Sequence, residues 1–272
     1  MATIFPAVVF LLLGIVWGAL LNWFAGSVNE EGGLLLKAPA CPKCGAKRKG
    51  KHLLPLLGFF IARGRCAQCN EPVSARTPIV EFVSGALFAA LYLRYGITWE
   101  LLILLVYASL LIVLFITDYE HFILPNVVTY PGMALAAAVA LLVTLLHYRL
   151  AWSIFFAGQD FMAIFNNYFL CATAGGVAAA LLLFLVVVIS RGGMGMGDVK
   201  LAGLLGLMTG FPLVFVALFI GILAGGIVAA ALLISGRKKR KEMLPFGPFL
   251  CIGGLVALLW GRQILAWYLG LI

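Results

Sequence analysis

Leu101-Leu-Ile-Leu-Leu-Val-Tyr-Ala-Ser-Leu-Leu-Ile-Val-Leu-Phe-Ile-Thr117 runs without a charged side chain and then meets a carboxylate, Asp118. A helix needs roughly 20 mostly apolar residues to cross a bilayer core of about 30 Å. Helices cross because they satisfy their own backbone hydrogen bonds where no water can. Working outward, the same reading applies to Ile4–Phe24, Ile79–Leu93, Val127–His147, Tyr168–Ser190, the short Val199–Thr209, Pro212–Ile234 and Phe246–Trp260. Between Val199–Thr209 and Pro212–Ile234, Gly210-Phe-Pro212 divides an overlong run, since proline lacks an amide donor and glycine accepts unusual backbone angles. The composition agrees. Of 272 residues 64% are hydrophobic and 11% charged, against about 25% charged in a soluble domain, and the mean hydropathy is +1.12. A soluble enzyme, a disordered chain and a disulfide scaffold are excluded. The expected fold is an all-α polytopic membrane protein of about eight transmembrane helices.

The charge of +9 comes from 19 Lys+Arg against 10 Asp+Glu, but these sit in short loops, which speaks against a nucleic-acid partner. Segment 37–76 holds nine basic residues, 237–241 holds five, and Arg191 and Lys200 flank another loop. With eight crossings all sixteen fall on one side, leaving Arg94, Arg149 and Arg262 opposite, so the basic side is cytoplasmic. The first run lacks the basic start of a cleaved signal and reads as an anchor. Three parts are expected: a first transmembrane helix (1–25), a four-cysteine loop (26–78) and a multi-helix body (79–272). Trp152, Phe155, Phe156, Phe161 and Phe165 read as an interfacial aromatic belt on the outer side.

Cys41-Pro-Lys-Cys44 and Cys66-Ala-Gln-Cys69 stand 21 residues apart. Each pair presents two thiolates on a tight turn, and two such turns suit a tetrahedral zinc. Four protein ligands close the site, so zinc there folds the loop and leaves no position for catalysis. A cytoplasmic loop favours metal over disulfide. Cys171 and Cys251 lie in apolar runs and read as inert core thiols.

Only three aspartates occur: Asp118, Asp160 and Asp198. Asp160 lies in the outer loop and reads as solvated. Asp118 ends the third run, and Asp198 opens the sixth within Gly195-Met-Gly197-Asp198-Val-Lys200. Both fall at cytoplasmic helix ends, where ionisable groups at membrane depth are costly and mark function. Two carboxylates in one apolar site share a proton. The ionised one can activate water while the protonated one polarises a carbonyl, which hydrolyses an amide without metal. Gly195 and Gly197 leave room for a substrate backbone. The bland reading is helix capping, or pairing of the aspartates with Lys200. His121 reads as a loop histidine, and His52 and His147 have no evident partner.

These residues resemble the type IV prepilin peptidases, bacterial membrane aspartic proteases, over nearly the whole chain. Gly18-Ala-Leu-Leu-Asn22 is similar to the family's first-helix motif. Cys41-Pro-Lys-Cys44, Arg63-Gly-Arg-Cys66-Ala-Gln-Cys69 and Arg76-Thr-Pro78-Ile-Val-Glu81 are similar to its zinc loop. Thr117-Asp118 with Leu124-Pro125-Asn126 resembles the first catalytic region, Gly195-Met-Gly197-Asp198-Val-Lys200-Leu201 the second, and Pro245-Phe-Gly-Pro248 the last-helix motif. Asn126 stands where an acidic residue is common, and Ala19 where a serine is common. The resemblance implies that Asp118 and Asp198 are catalytic, supported by Gly195, Gly197, Lys200, Pro125 and Asn126. It implies removal of a short basic leader from prepilins and pseudopilins of type IV pilus and type II secretion systems. It places cleavage just after a glycine at the cytoplasmic face of the bacterial inner membrane, and it implies, as in many members of the family, N-methylation of the new terminus with S-adenosylmethionine. Two other readings of the same residues are a proton-coupled transporter using both aspartates, which the lack of a repeat disfavours, and a catalytically silent zinc-loop scaffold of a pilus or secretion complex.

Overall fold

The computed structural model describes residues 4–28, 43–45, 55–61, 63–66, 68–72, 75–146, 167–190, 194–236 and 245–270. The described residues form α1 (Ile4–Ala25), α2 (Leu57–Ile61), α3 (Arg76–Tyr95), α4 (Trp99–His121), α5 (Asn126–Leu145), α6 (Tyr168–Ile189), α7 (Met196–Thr209), α8 (Leu213–Ile234) and α9 (Gly247–Tyr268). All but α2 and α7 are long and apolar enough to cross a membrane, seven in all. The chain is an all-α multi-pass membrane protein. The eighth run of the sequence is α7, whose 14 residues reach about 21 Å at 1.5 Å per residue, short of the hydrocarbon thickness.

Helices run past several apolar boundaries because backbone hydrogen bonding continues through polar side chains. Thus α3 begins at Arg76 rather than Ile79, and α4 continues to His121. The aromatic belt with Asp160, Cys41, His52, His147, Arg149, Arg191 and the basic run 237–241 lie outside the described residues.

Two compact units are present, Met1–Val113 and Leu114–Ile272. In the first, α1 packs on α3 with Gly18 against the backbone of Glu81, where a Cβ would stand 2.8 Å from its Cα. Asn22 Nδ2 donates to the Thr77 carbonyl at 3.1 Å, closing the same seam. Small residues let membrane helices approach to backbone contact, where dispersion replaces the absent hydrophobic drive.

In the second unit α7 is the central helix, touching α5, α6, α8 and α9. Its buried residues run nearly all round it, from Asp198 to Thr209, so its apolarity serves packing rather than one face. It ends at Gly210 (φ 75), and Pro212 precedes α8, as the Gly-Phe-Pro reading expects. The α6–α7 seam is closest at Gly206, where a Cβ would overlap the Gly175 carbonyl. We expect Gly206→Val to lower the thermal midpoint in detergent, overpacking costing about 1–3 kcal/mol. Gly226→Val, at an exposed position with nothing within 4 Å of a Cβ, serves as the control. Equal midpoints for the two variants would show a seam looser than described.

Candidate active site

Asp118 sits one turn before the end of α4, where its carbonyl accepts the Phe122 amide at 2.9 Å. Phe122 adopts φ 55, a left-handed residue that stops the helix. The chain then extends through Leu124 to Pro125, which caps α5 in an extended conformation. Asp198 lies in the first turn of α7, three residues after its cap Gly195. The two are 6% and 8% exposed and within electrostatic reach of one another. The Cys251 thiol, one turn beyond Gly247 on α9, is within reach of both. The second unit therefore gathers α4, α7 and α9 around two carboxylates. Among the described residues neither aspartate forms an ion pair.

Asp118 has a partner that the sequence does not announce. The Gly247 N–H, at the start of α9, donates to Asp118 Oδ2 at 2.9 Å. The first amides of a helix have no internal acceptor, and a carboxylate is a favourable one. A Cβ on Gly247 would stand 2.6 Å from the same oxygen, so any side chain there would push the carboxyl off its amide. Pro248 follows at the helix start, where its missing N–H costs nothing. Thus the Pro-Phe-Gly-Pro segment supplies a fixed donor to a carboxylate 129 positions away.

The supporting residues divide into two groups. Gly197 faces Leu124, whose Cδ1 would lie 3.2 Å from a Cβ there, so the glycine lets α7 close on the segment after Asp118. At Gly195 the nearest atom to a Cβ is Asp198 Oδ2 at 3.9 Å, an ordinary contact distance that leaves the carboxylate open on that side. Lys200 does not turn to Asp198. Its Nζ donates to Asn126 Oδ1 at 2.9 Å and stands 5.3 Å from the Tyr130 ring centroid, which suits a cation over an aromatic face. Residues two apart on a helix face different ways. Lys200 and Asn126 thus tie α7 to the first turn of α5 beside the carboxylates. Pro125 provides the carbonyl that accepts the Val128 and Thr129 amides, both at 3.0 Å. His121 is an exposed residue beside Glu120, 3.9 Å away.

In the first unit Cys44, Cys66 and Cys69 bring their sulfurs within 4.8 Å of one another, a cluster able to hold a metal. Cys66-Ala-Gln-Cys69 closes as a tight turn: Asn70 (φ 56) donates its N–H to the Cys66 carbonyl at 3.0 Å. The Cys66 amide donates to the Glu71 backbone carbonyl at 2.8 Å. Lys43 Nζ reaches Glu71 Oε2 at 2.6 Å, joining the two turns. Cys171 and Cys251 are buried, far from this cluster in sequence. Cys171 Sγ contacts the Phe211 carbonyl at 2.9 Å, and the Phe211 N–H donates to the Cys171 carbonyl at 3.0 Å.

Comparison with known proteins agrees along the chain. Residues 12–95 match the bacterial peptidase A24 N-terminal domain, and 105–230, which include both buried aspartates, match the type IV leader peptidase family. The chain is 30% identical over 230 residues to a Bacillus subtilis protein named prepilin leader peptidase/N-methyltransferase, covering 85% of this chain and 84% of that one. A Legionella pneumophila protein of the same name is 32% identical over 239 residues (87% and 77%). One from Pseudomonas putida is 30% identical over 243 residues (88% and 77%). No solved structure matches the chain. With two consecutive domain matches and relatives aligned over most of both lengths, the chain belongs to the type IV leader peptidase family.

Proposed function

We propose that this protein removes the basic leader of prepilins and pseudopilins by water attack directed by Asp118 and Asp198. One observation carries the reading: two buried carboxylates, in reach of each other and, among the described residues, in no ion pair, in a chain whose relatives are named for leader removal. The pair shares one proton. The ionised carboxylate takes a proton from water as its oxygen attacks the scissile carbonyl. The protonated one hydrogen-bonds the carbonyl oxygen and then passes its proton to the leaving amide nitrogen. Gly247 holds Asp118 through that sequence, and Gly195, Gly197, Leu124, Lys200, Pro125 and Asn126 hold the approach of α7 to α5. We place this chemistry at the cytoplasmic face of the bacterial inner membrane, with eight crossings of which α7 is the short one. The parts are then an anchor (1–25), a cysteine loop (26–78) and a peptidase body (79–272).

The deciding experiment incubates the purified full-length protein with a synthetic pilin peptide bearing its leader, with and without S-adenosylmethionine, and reads products by mass. Loss of the leader at a single bond after glycine supports the proposal. An intact peptide under conditions where the protein stays folded refutes it. A further gain of one methyl group only with the donor supports the methyltransferase half. Among the described residues no set of side chains marks a seat for S-adenosylmethionine, so that half rests on the family alone.

The cysteine loop fits zinc. Cys44 and Cys66 sulfurs lie 3.8 Å apart, close to the roughly 3.8 Å between two ligands each about 2.3 Å from a tetrahedral ion. Cys44, Cys66 and Cys69 with Cys41 would hold it, and the ion would fix the fold of the loop. About one zinc per chain is expected by elemental analysis. Cys66→Ser is expected to lose it, with faster tryptic cutting within 26–78, partial loss of cleavage and greater loss of methylation. Full metal content in Cys66→Ser would remove the assignment.

A further inference from the structure

The short helix α2 turns Phe60 and Ile61 outward, at 66% and 51% exposed. Phe59, beside them, turns inward beneath Gly64, where its Cζ would lie 3.1 Å from a Cβ. Large apolar side chains presented together to water forgo about 25 cal/mol per Å² of burial.

The depth of this pair is fixed by a half-buried bond. Glu81 Oε2 accepts the Leu56 N–H at 2.6 Å, and Glu81 is itself 4% exposed. Glu81 lies five residues into α3, a helix long and apolar enough to cross a membrane. That is about 7.5 Å along its axis. The start of α2 is therefore pinned alongside the first turns of a membrane helix. Phe60 and Ile61, four and five residues on, cannot stand far from that level.

Charge completes the picture. Arg63 and Arg65 follow at once and are exposed. Segment 37–76 carries nine basic residues and one acid, Glu71, which is already bonded to Lys43. Exposed aromatic and aliphatic side chains flanked by guanidinium groups, held at the end of a spanning helix, match the chemistry of an acidic lipid surface.

We infer that α2 and the turn after it dock on the bilayer, with Phe60 and Ile61 entering the boundary between headgroups and acyl chains and Arg63 and Arg65 binding acidic phospholipid headgroups. This contact holds the cysteine loop against the membrane. It is independent of the proposed cleavage chemistry.

The test uses the full chain in nanodiscs of phosphatidylcholine, with or without phosphatidylglycerol. A photo-crosslinking benzoylphenylalanine replaces Phe60, Ile61 or, as control, the exposed Gln68. Mass spectrometry identifies what each position captures. Lipid adducts are expected at positions 60 and 61, few at 68, and more with phosphatidylglycerol present. Arg63→Gln and Arg65→Gln are each expected to reduce the phosphatidylglycerol adduct about fivefold. Zinc content checks that each variant keeps its loop folded. Adducts to the chain itself, to an added pilin peptide, or to lipid equally at all three positions would overturn the inference, as would no adduct at all.

Discussion

Asp118→Asn and Asp198→Asn are each expected to abolish prepilin cleavage, lowering turnover by at least about a thousandfold, and the double variant should be little worse than either. Asparagine keeps the shape of each side chain but can neither take a proton from water nor donate one as an acid. A single surviving carboxylate can fill one role only, and the reaction needs both at once. The helices that carry the pair should be undisturbed, since neither aspartate is held by an ion pair among the described residues. The measurement is single-turnover cleavage of a leader-bearing peptide by full-length protein, with thermal midpoints to confirm folding. If either variant keeps more than about a tenth of wild-type turnover, the pairing of Asp118 with Asp198 is wrong. A proton relay serving transport would leave peptide cleavage absent in the wild type as well, which separates that reading in the same assay.

Gly247→Ala should cost about a hundredfold in kcat with little change in KM. The added methyl would stand 2.6 Å from Asp118 Oδ2 and 2.9 Å from its Cγ, so the carboxyl must swing away from the amide that holds it. Displacing a reacting group by about 1 Å is enough for a loss of that size. Substrate binding along other surfaces is untouched, hence the steady KM. Stability supplies an independent readout. Gly247→Ala should lower the thermal midpoint in the wild-type background and lower it much less when Asp118 is also alanine, because the methyl then occupies vacated space. Equal stability losses in both backgrounds would mean that Gly247 answers to some neighbour other than Asp118.

The spanning helices were legible because an apolar stretch near 20 residues leaves the chain few alternatives in or out of a bilayer. Even the division of α7 from α8 could be read, since Gly210 and Pro212 each oppose a continuing helix. The ends were less legible: α3 and α4 run through Arg76, Glu120 and His121 because helical hydrogen bonds do not stop where hydropathy does. The five-residue α2 left no periodic signal at all. At the site, the two aspartates stood out by rarity and placement. Their surroundings did not, because the Gly247 amide is a backbone group and its bond to Asp118 spans 129 positions. Lys200, only two positions from Asp198, goes instead to Asn126 and Tyr130, because residues two apart on a helix face different ways. In the sequence Glu81 is only one member of a motif, whereas its bond to the Leu56 amide gives it a definite task.

The seam between α6 and α7 also measures depth. Cys171 meets Phe211, Gly175 meets Gly206 and Gly210, and Ala180 meets Gly203, so the two helices run antiparallel and paired positions sum to a nearly constant value. Extending that register puts Asp198 level with about residue 184 of α6, some five residues, or about 7.5 Å, short of its end at Ile189. Beyond that level α6 continues as Leu185, Val186, Val188 and Ile189, all apolar and all facing outward. The greasy surface of the protein thus extends past the aspartate instead of stopping at it. If Asp198 cuts the leader as proposed, the scissile bond meets it below the end of that apolar surface, with an apolar segment of the substrate lying alongside α6.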